Sequence, residues 1–113
     1  MSNLIVIAKI TAKENHADKV KTALLALVEP TLQEDGCIQY DCHQDNGNPH
    51  VFYFYEIWES ADHLQAHGQS DHIKSMRIAT EGMIVGREFN TMHKLQSDAV
   101  SNMHKVNAFI FIQ

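Results

Sequence analysis

The sequence predicts an α+β domain with the split β-α-β-β-α-β order of a ferredoxin-like antiparallel sheet. Three observations carry that expectation. Runs of strand length, rich in β-branched and aromatic residues, occupy 4–11, 37–43 and 51–58. Stretches of helical apolar spacing follow the first and third runs, and dense turn chemistry joins the second directly to the third.

Leu4 to Thr11 is a run rich in β-branched residues, and it is too short for a lone buried helix, so it reads as strand one, covered on both faces. Asn15, with Asp18 three residues on, is an N-cap signal for a helix carrying Val20, Leu24, Leu27, Val28 and Leu32. Pro30 lies inside that pattern, where its ring would meet the carbonyl of Ala26, so a kink or restart is expected before Gly36 ends the helix. Cys37 to His43 alternates as strand two, Asp45-Asn46-Gly47-Asn48-Pro49 turns the chain, and Val51 to Trp58 is strand three. Ser60 can cap a second helical region through His67 that breaks near Gly68 and resumes at Ser70 or Asp71. Gly82 and Gly86 bracket Met83-Ile84-Val85, and strand four is expected from Arg87 to Leu95.

Two helical regions can cover one face of a four-stranded sheet, yet strands one and three are apolar in both phases. The uncovered face predicts a homodimer with the two sheets packed against each other. Residues 1–96 are expected to form the domain. The apolar tail within 97–113, Lys105 to Ile112, is expected to pair with a sheet edge.

Composition narrows the function classes. With 113 residues and 44% apolar content the chain supports one modest core. No apolar run reaches the roughly 18 residues of a membrane span, and Met1-Ser2-Asn3-Leu4 lacks a basic signal-peptide start, so no membrane role and a cytoplasmic location are expected. A net charge of −5 with scattered cations argues against nucleic acid. Cys37 and Cys42, five residues apart on one strand, should face opposite ways and stay reduced.

Glu56 interrupts strand three on the pleat face it shares with Phe52, Phe54 and Trp58. A carboxylate there is paired, solvated in a cavity or protonated. Burial would poise it as an acid-base catalyst, whereas an ion pair with Lys9, Arg77 or Arg87 would make it structural. His63, His67 and His72 form a second constellation on the helices. Their H-x3-H-x4-H spacing is a weak metal pattern, so no metal is expected, and one imidazole lining a pocket is the stronger reading. Trp58, Phe52 and Phe54 could wall a flat ligand or simply pack the core. Lys9, Lys74, Arg77 and Arg87 are the cations available to an anionic substrate, Arg77 being the one counted as substrate-binding. No phosphate loop, CxxC pair or flavin motif occurs.

The stretches Glu34-Asp35-Gly36-Cys37-Ile38-Gln39-Tyr40, Phe54-Tyr55-Glu56-Ile57-Trp58-Glu59-Ser60, His63-Leu64-Gln65-Ala66-His67 and Ser70-Asp71-His72 resemble the antibiotic biosynthesis monooxygenase family. The resemblance runs from about Leu4 to about Leu95 and implies a dimeric α+β barrel. Its quinol monooxygenases act on aromatic quinols with dioxygen and no cofactor. By that likeness Glu56 or His67 would be the base, Trp58 a wall, and His72 an orienting group. Haem-degrading members carry an Asn and a His where this chain has Ala8 and Arg77, which disfavours that activity. An isomerase branch acting on a phosphorylated signal matches Tyr55-Glu56 and Ala66-His67. The leading expectation is a cofactor-independent monooxygenase for a quinol or other electron-rich aromatic. An isomerase and a non-catalytic dimeric binding module stand as alternatives.

Overall fold

The computed structural model describes residues 3–96, so the expectation for the tail at 97–113 lies outside the described residues. The elements in order are β1 (Leu4–Ala12), α1 (Ala17–Leu25), α2 (Val28–Leu32), β2 (Cys37–Gln44), β3 (Val51–Trp58), α3 (Ala61–Gly68), α4 (Asp71–Ala79) and β4 (Ile84–Met92). They form one four-stranded antiparallel sheet in the order β2-β3-β1-β4. This is the expected α+β, ferredoxin-like arrangement, with each helical region divided into two short helices.

The first division lies just before Pro30. The Leu27 N–H turns back to the Leu24 carbonyl at 3.1 Å, tightening the last turn of α1, and α2 restarts at Val28. Pro30 then falls in the first turn of α2, where a missing N–H costs little. Asn15 does not cap α1. It takes a left-handed backbone (φ 70°) that swings the chain off β1, and His16 becomes the N-cap without a side-chain cap bond. Ser60 and Ser70 do cap α3 and α4, their hydroxyls accepting the N–H groups of His63 and Ile73 at 3.3 Å each.

Two β irregularities shift what strict alternation predicts. β4 begins at Ile84 rather than Arg87 and ends at Met92, because Gly82 (φ 76°) turns the chain early and the Lys13 N–H bonds the Met83 carbonyl at 2.7 Å. Its register with β1 slips between Thr11 and Ala12. A second slip, between Cys37 and Gln39 on β2, puts Cys37 opposite Trp58 and Cys42 opposite Phe54. Both thiols therefore lie on the same face, contrary to the pleat count. They are about 16 Å apart along the strand, and both are free.

The helices cover one face of the sheet. Val6, Ala8, Ile10 and Ala12 of β1, with Phe52, Phe54, Glu56 and Trp58 of β3, point toward them and are buried. Val20 and Leu24 of α1, Leu27 just before α2, Tyr40 of β2 and Ile73 of α4 also belong to this core. The opposite face carries Ile5, Ile7, Tyr53, Tyr55 and Ile57 half-buried, and Lys9 there pairs with Glu88 at 3.7 Å.

Gly36, between α2 and β2, is where close approach demands glycine. Its φ is 81°, its carbonyl accepts the Glu59 N–H at 2.9 Å, and a Cβ would penetrate the His63 imidazole. Gly82 has a similar φ with open space around it. Gly36→Ala should therefore destabilise the fold by more than about 2 kcal/mol, combining backbone strain with overpacking, while Gly82→Ala costs about 1 kcal/mol from strain alone. Urea unfolding midpoints of the two variants test this difference.

Candidate active site

A cavity of about 330 Å³ lies between the helix-covered face of the sheet and α1, α3 and α4. Its walls are mainly aliphatic, with Tyr40, Phe54, Glu56, His67, Arg77 and Arg87 supplying the aromatic and polar chemistry. The site begins with β3, which is central in the sheet and must be apolar on both faces, so an acid at position 56 is carried inside by the pleat. Glu56 is 4% exposed. Its Oε1 accepts one bond, 2.9 Å from the Trp58 indole N–H. Among the described residues it forms no ion pair: Lys9 lies on the other face with Glu88, and neither Arg77 nor Arg87 pairs with it. Burial pushes its carboxyl group up to about 7, the indole bond pulling it partly back and the Glu34 charge adding to the rise.

His67, on α3, is the second titratable group on the cavity wall. Its Nδ1–H donates to Glu34 Oε2 at 2.6 Å, and the same oxygen accepts His72 Nε2–H at 2.8 Å. A carboxylate oxygen accepts, so each of these nitrogens carries the proton and His67 Nε2 keeps its lone pair. Burial lowers the His67 pKa below the usual imidazole value, with the Glu34 bond acting against it. The imidazole is therefore a neutral acceptor. Trp58 packs against it, tilted by 38° with centroids 4.9 Å apart, and Tyr40 meets it edge-on at 5.3 Å. Tyr40 in turn packs on Phe54 at 4.8 Å, and burial, then the Glu56 charge, holds its phenol firmly protonated.

Of the residues singled out from sequence, Glu56, His67, Phe54 and Arg77 border the cavity. Trp58 and Phe52 do not: Phe52 is plain core, and Trp58 sits behind the wall, bonding Glu56 and packing at a tilt on His67. His72 reaches the site only through Glu34. His63 stands apart, its Nδ1 2.7 Å from Ser60 Oγ and its Nε2 3.5 Å from Asp35. Glu34 was not foreseen as a site residue. It replaces His63 in a cluster with His67 and His72 whose ligand atoms lie within 4.8 Å of one another. These three could hold an ion, although their lone pairs and protons already satisfy one another. The available signal for Glu34 was its place two residues before Gly36, whose turn aims it back at α3 and α4.

A mostly apolar, part-open cavity with a buried acid and an imidazole on its wall is the kind of concave site in which proteins hold small molecules. Residues 3–77 match the model of the antibiotic biosynthesis monooxygenase family, and the chain belongs to that family. It is 32% identical over 92 residues to the Escherichia coli protein named "Probable quinol monooxygenase YgiN", the match covering 73% of this chain and 88% of that one. It is 26% identical over 69 residues to an uncharacterised Synechocystis protein, sll1783, of which it spans 47% of the length and which covers 61% of this chain. Among solved structures, PA3566 from Pseudomonas aeruginosa superposes with a TM-score of 0.82 at 33% identity, over 85% of this chain and 97% of that one.

The buried acid makes stability depend on pH with a definite sign. The folded chain holds the Glu56 proton up to about 7, the unfolded chain only to about 4.3. The native state thus binds more protons between those values, and stability is highest below them and falls as pH rises through the window. Relative to Glu56→Gln, the wild type should lose about 3 kcal/mol across it and run parallel on either side. Urea titrations of both proteins from pH 4 to 8 measure the difference.

Proposed function

We propose that the protein is a cofactor-independent monooxygenase acting on a quinol or similar electron-rich aromatic, working as a homodimer in the cytoplasm. The observation that carries this reading is Glu56, on the wall of an apolar cavity, with a single indole donor and no ion pair among the described residues. A carboxyl group near 7 can accept a phenolic proton at neutral pH. The quinolate so formed is electron-rich enough to react with dioxygen itself, adding it at a ring carbon as a hydroperoxide. Removal of the ring C–H proton with cleavage of the O–O bond leaves a carbonyl on the ring, and the distal oxygen departs as water. His67 Nε2 is suited to that second proton transfer. The mainly aliphatic walls around Glu56 limit the contact of bulk water with the intermediates. The distant Escherichia coli relative carries a quinol monooxygenase name, which supports the same chemistry.

Oxygen uptake with 1,4-naphthalenediol tests the reading. The wild type should exceed autoxidation, with kcat/KM rising with pH through about 7 as Glu56 ionises. Glu56→Gln should lower kcat by about 10²–10⁴-fold, the range for loss of a general base. Uptake no faster than autoxidation overturns the proposal. Solvent deuterium entering a phosphorylated hydroxyketone without oxygen demand would assign an isomerase instead.

The dimer reading rests on Ile5, Ile7, Tyr53, Tyr55 and Ile57, a continuous apolar face that the helices leave uncovered. Sedimentation equilibrium should give two chains for the wild type and one for Ile7→Lys.

A further inference from the structure

The chain has only two arginines, Arg77 and Arg87, and both line the cavity. They come from different elements, the last turn of α4 and the helix-facing side of β4. No lysine among the described residues shares the wall with them. Neither arginine forms an ion pair with a described carboxylate, although acidic residues outnumber basic ones 14 to 9. Both guanidinium groups are exposed and stand where the apolar cavity opens to solvent. Two cations without a carboxylate partner at such an opening offer charge to an anionic group on an entering ligand, and their planar fork suits a carboxylate.

The sheet register separates this charge from the acid. Glu56 pairs with Val6, which pairs with Thr91; Arg87 pairs with Ile10, which pairs with Phe52. Arg87 is thus four residues along and two strands across from Glu56, about 13 Å in one direction and about 10 Å in the other. The cavity is bipolar, with a proton-accepting end at Glu56 and His67 and a cationic end at Arg87. Arg77 stands near enough to His67 to disfavour its charged form. Phe89, 63% exposed, lies beside Arg87 on the cavity side of β4 and offers an apolar surface at the cationic end.

We propose that the ligand is an aromatic acid: a ring held between Phe54 and the aliphatic walls, with its carboxylate engaged by Arg87 at the cationic end and Arg77 adding positive charge on the α4 wall. A small neutral quinol would leave both guanidinium groups unused, and a sugar phosphate would leave the apolar walls unmatched. This inference deepens the quinol reading by naming the substrate class, and it concerns binding, so it is tested without turnover.

Isothermal titration calorimetry with 1-hydroxy-2-naphthoate and 1-naphthol, neither of which is a quinol, reads the preference directly. The wild type should bind the naphthoate at least tenfold more tightly, the ratio shrinking as salt rises. In Arg77→Gln/Arg87→Gln the ratio should fall to near one with naphthol affinity unchanged, and the double lysine variant should restore part of it. Both positions are exposed, so the variants keep the fold. Equal wild-type affinities, or a preference that survives in the glutamine variant, overturn the proposal. Ribose 5-phosphate binding more tightly than the naphthoate overturns the aromatic part. Absence of oxygen uptake with any quinol would sink the oxygenase reading while leaving the charge preference intact.

Discussion

The desolvation of one carboxyl group governs this molecule. Glu56 is carried to the interior because β3 is central and its pleat leaves no other place for it, and there it receives one hydrogen bond where water would supply several. A cation close by would have neutralised it into a structural pair. The fold instead places Lys9 on the far face and Arg87 well along the sheet. The acid is left as a group that exchanges a proton near neutrality, at a cost in stability that the surrounding core absorbs.

Glu34 organises the other half of the site. It accepts from two histidines on two helices and so ties α3, α4 and the turn before β2 together. The same bond selects the tautomer of His67 that presents Nε2 as a lone pair. That geometry requires Gly36, because the turn behind Glu34 presses directly on the His63 ring. Fold and chemistry share residues here, since the contact that closes the helix layer over the sheet also prepares the imidazole.

Much of the fold was legible in the residues themselves. Strand runs, the Pro30 restart, the Ser60 cap and the resumption of helix at Ser70 or Asp71 follow from local sterics and hydrogen bonding. Asn15, the early start of β4 and the common face of the two cysteines were not legible. Each depends on where another segment lies: a left-handed turn off β1, the Lys13–Met83 bond, and a register slip against β3. Alternation along one strand carries no record of a bulge, because the bulge is a property of the pair.

The sequence alone determined that Glu56 would share a pleat face with Phe52, Phe54 and Trp58, since side-chain alternation is local; with both phases of β3 apolar, only the tertiary structure decided that the helices cover that face. The sequence also determined that imidazoles would gather on the second helical region, where their spacing is set by the helix. Only the tertiary structure decided which groups meet. It put Glu34 between His67 and His72, drew Trp58 back from the cavity wall to hold Glu56, and brought both arginines to the cavity from elements distant in the chain. Contacts between residues dozens of positions apart are chosen by packing and register, and those are properties of the whole chain.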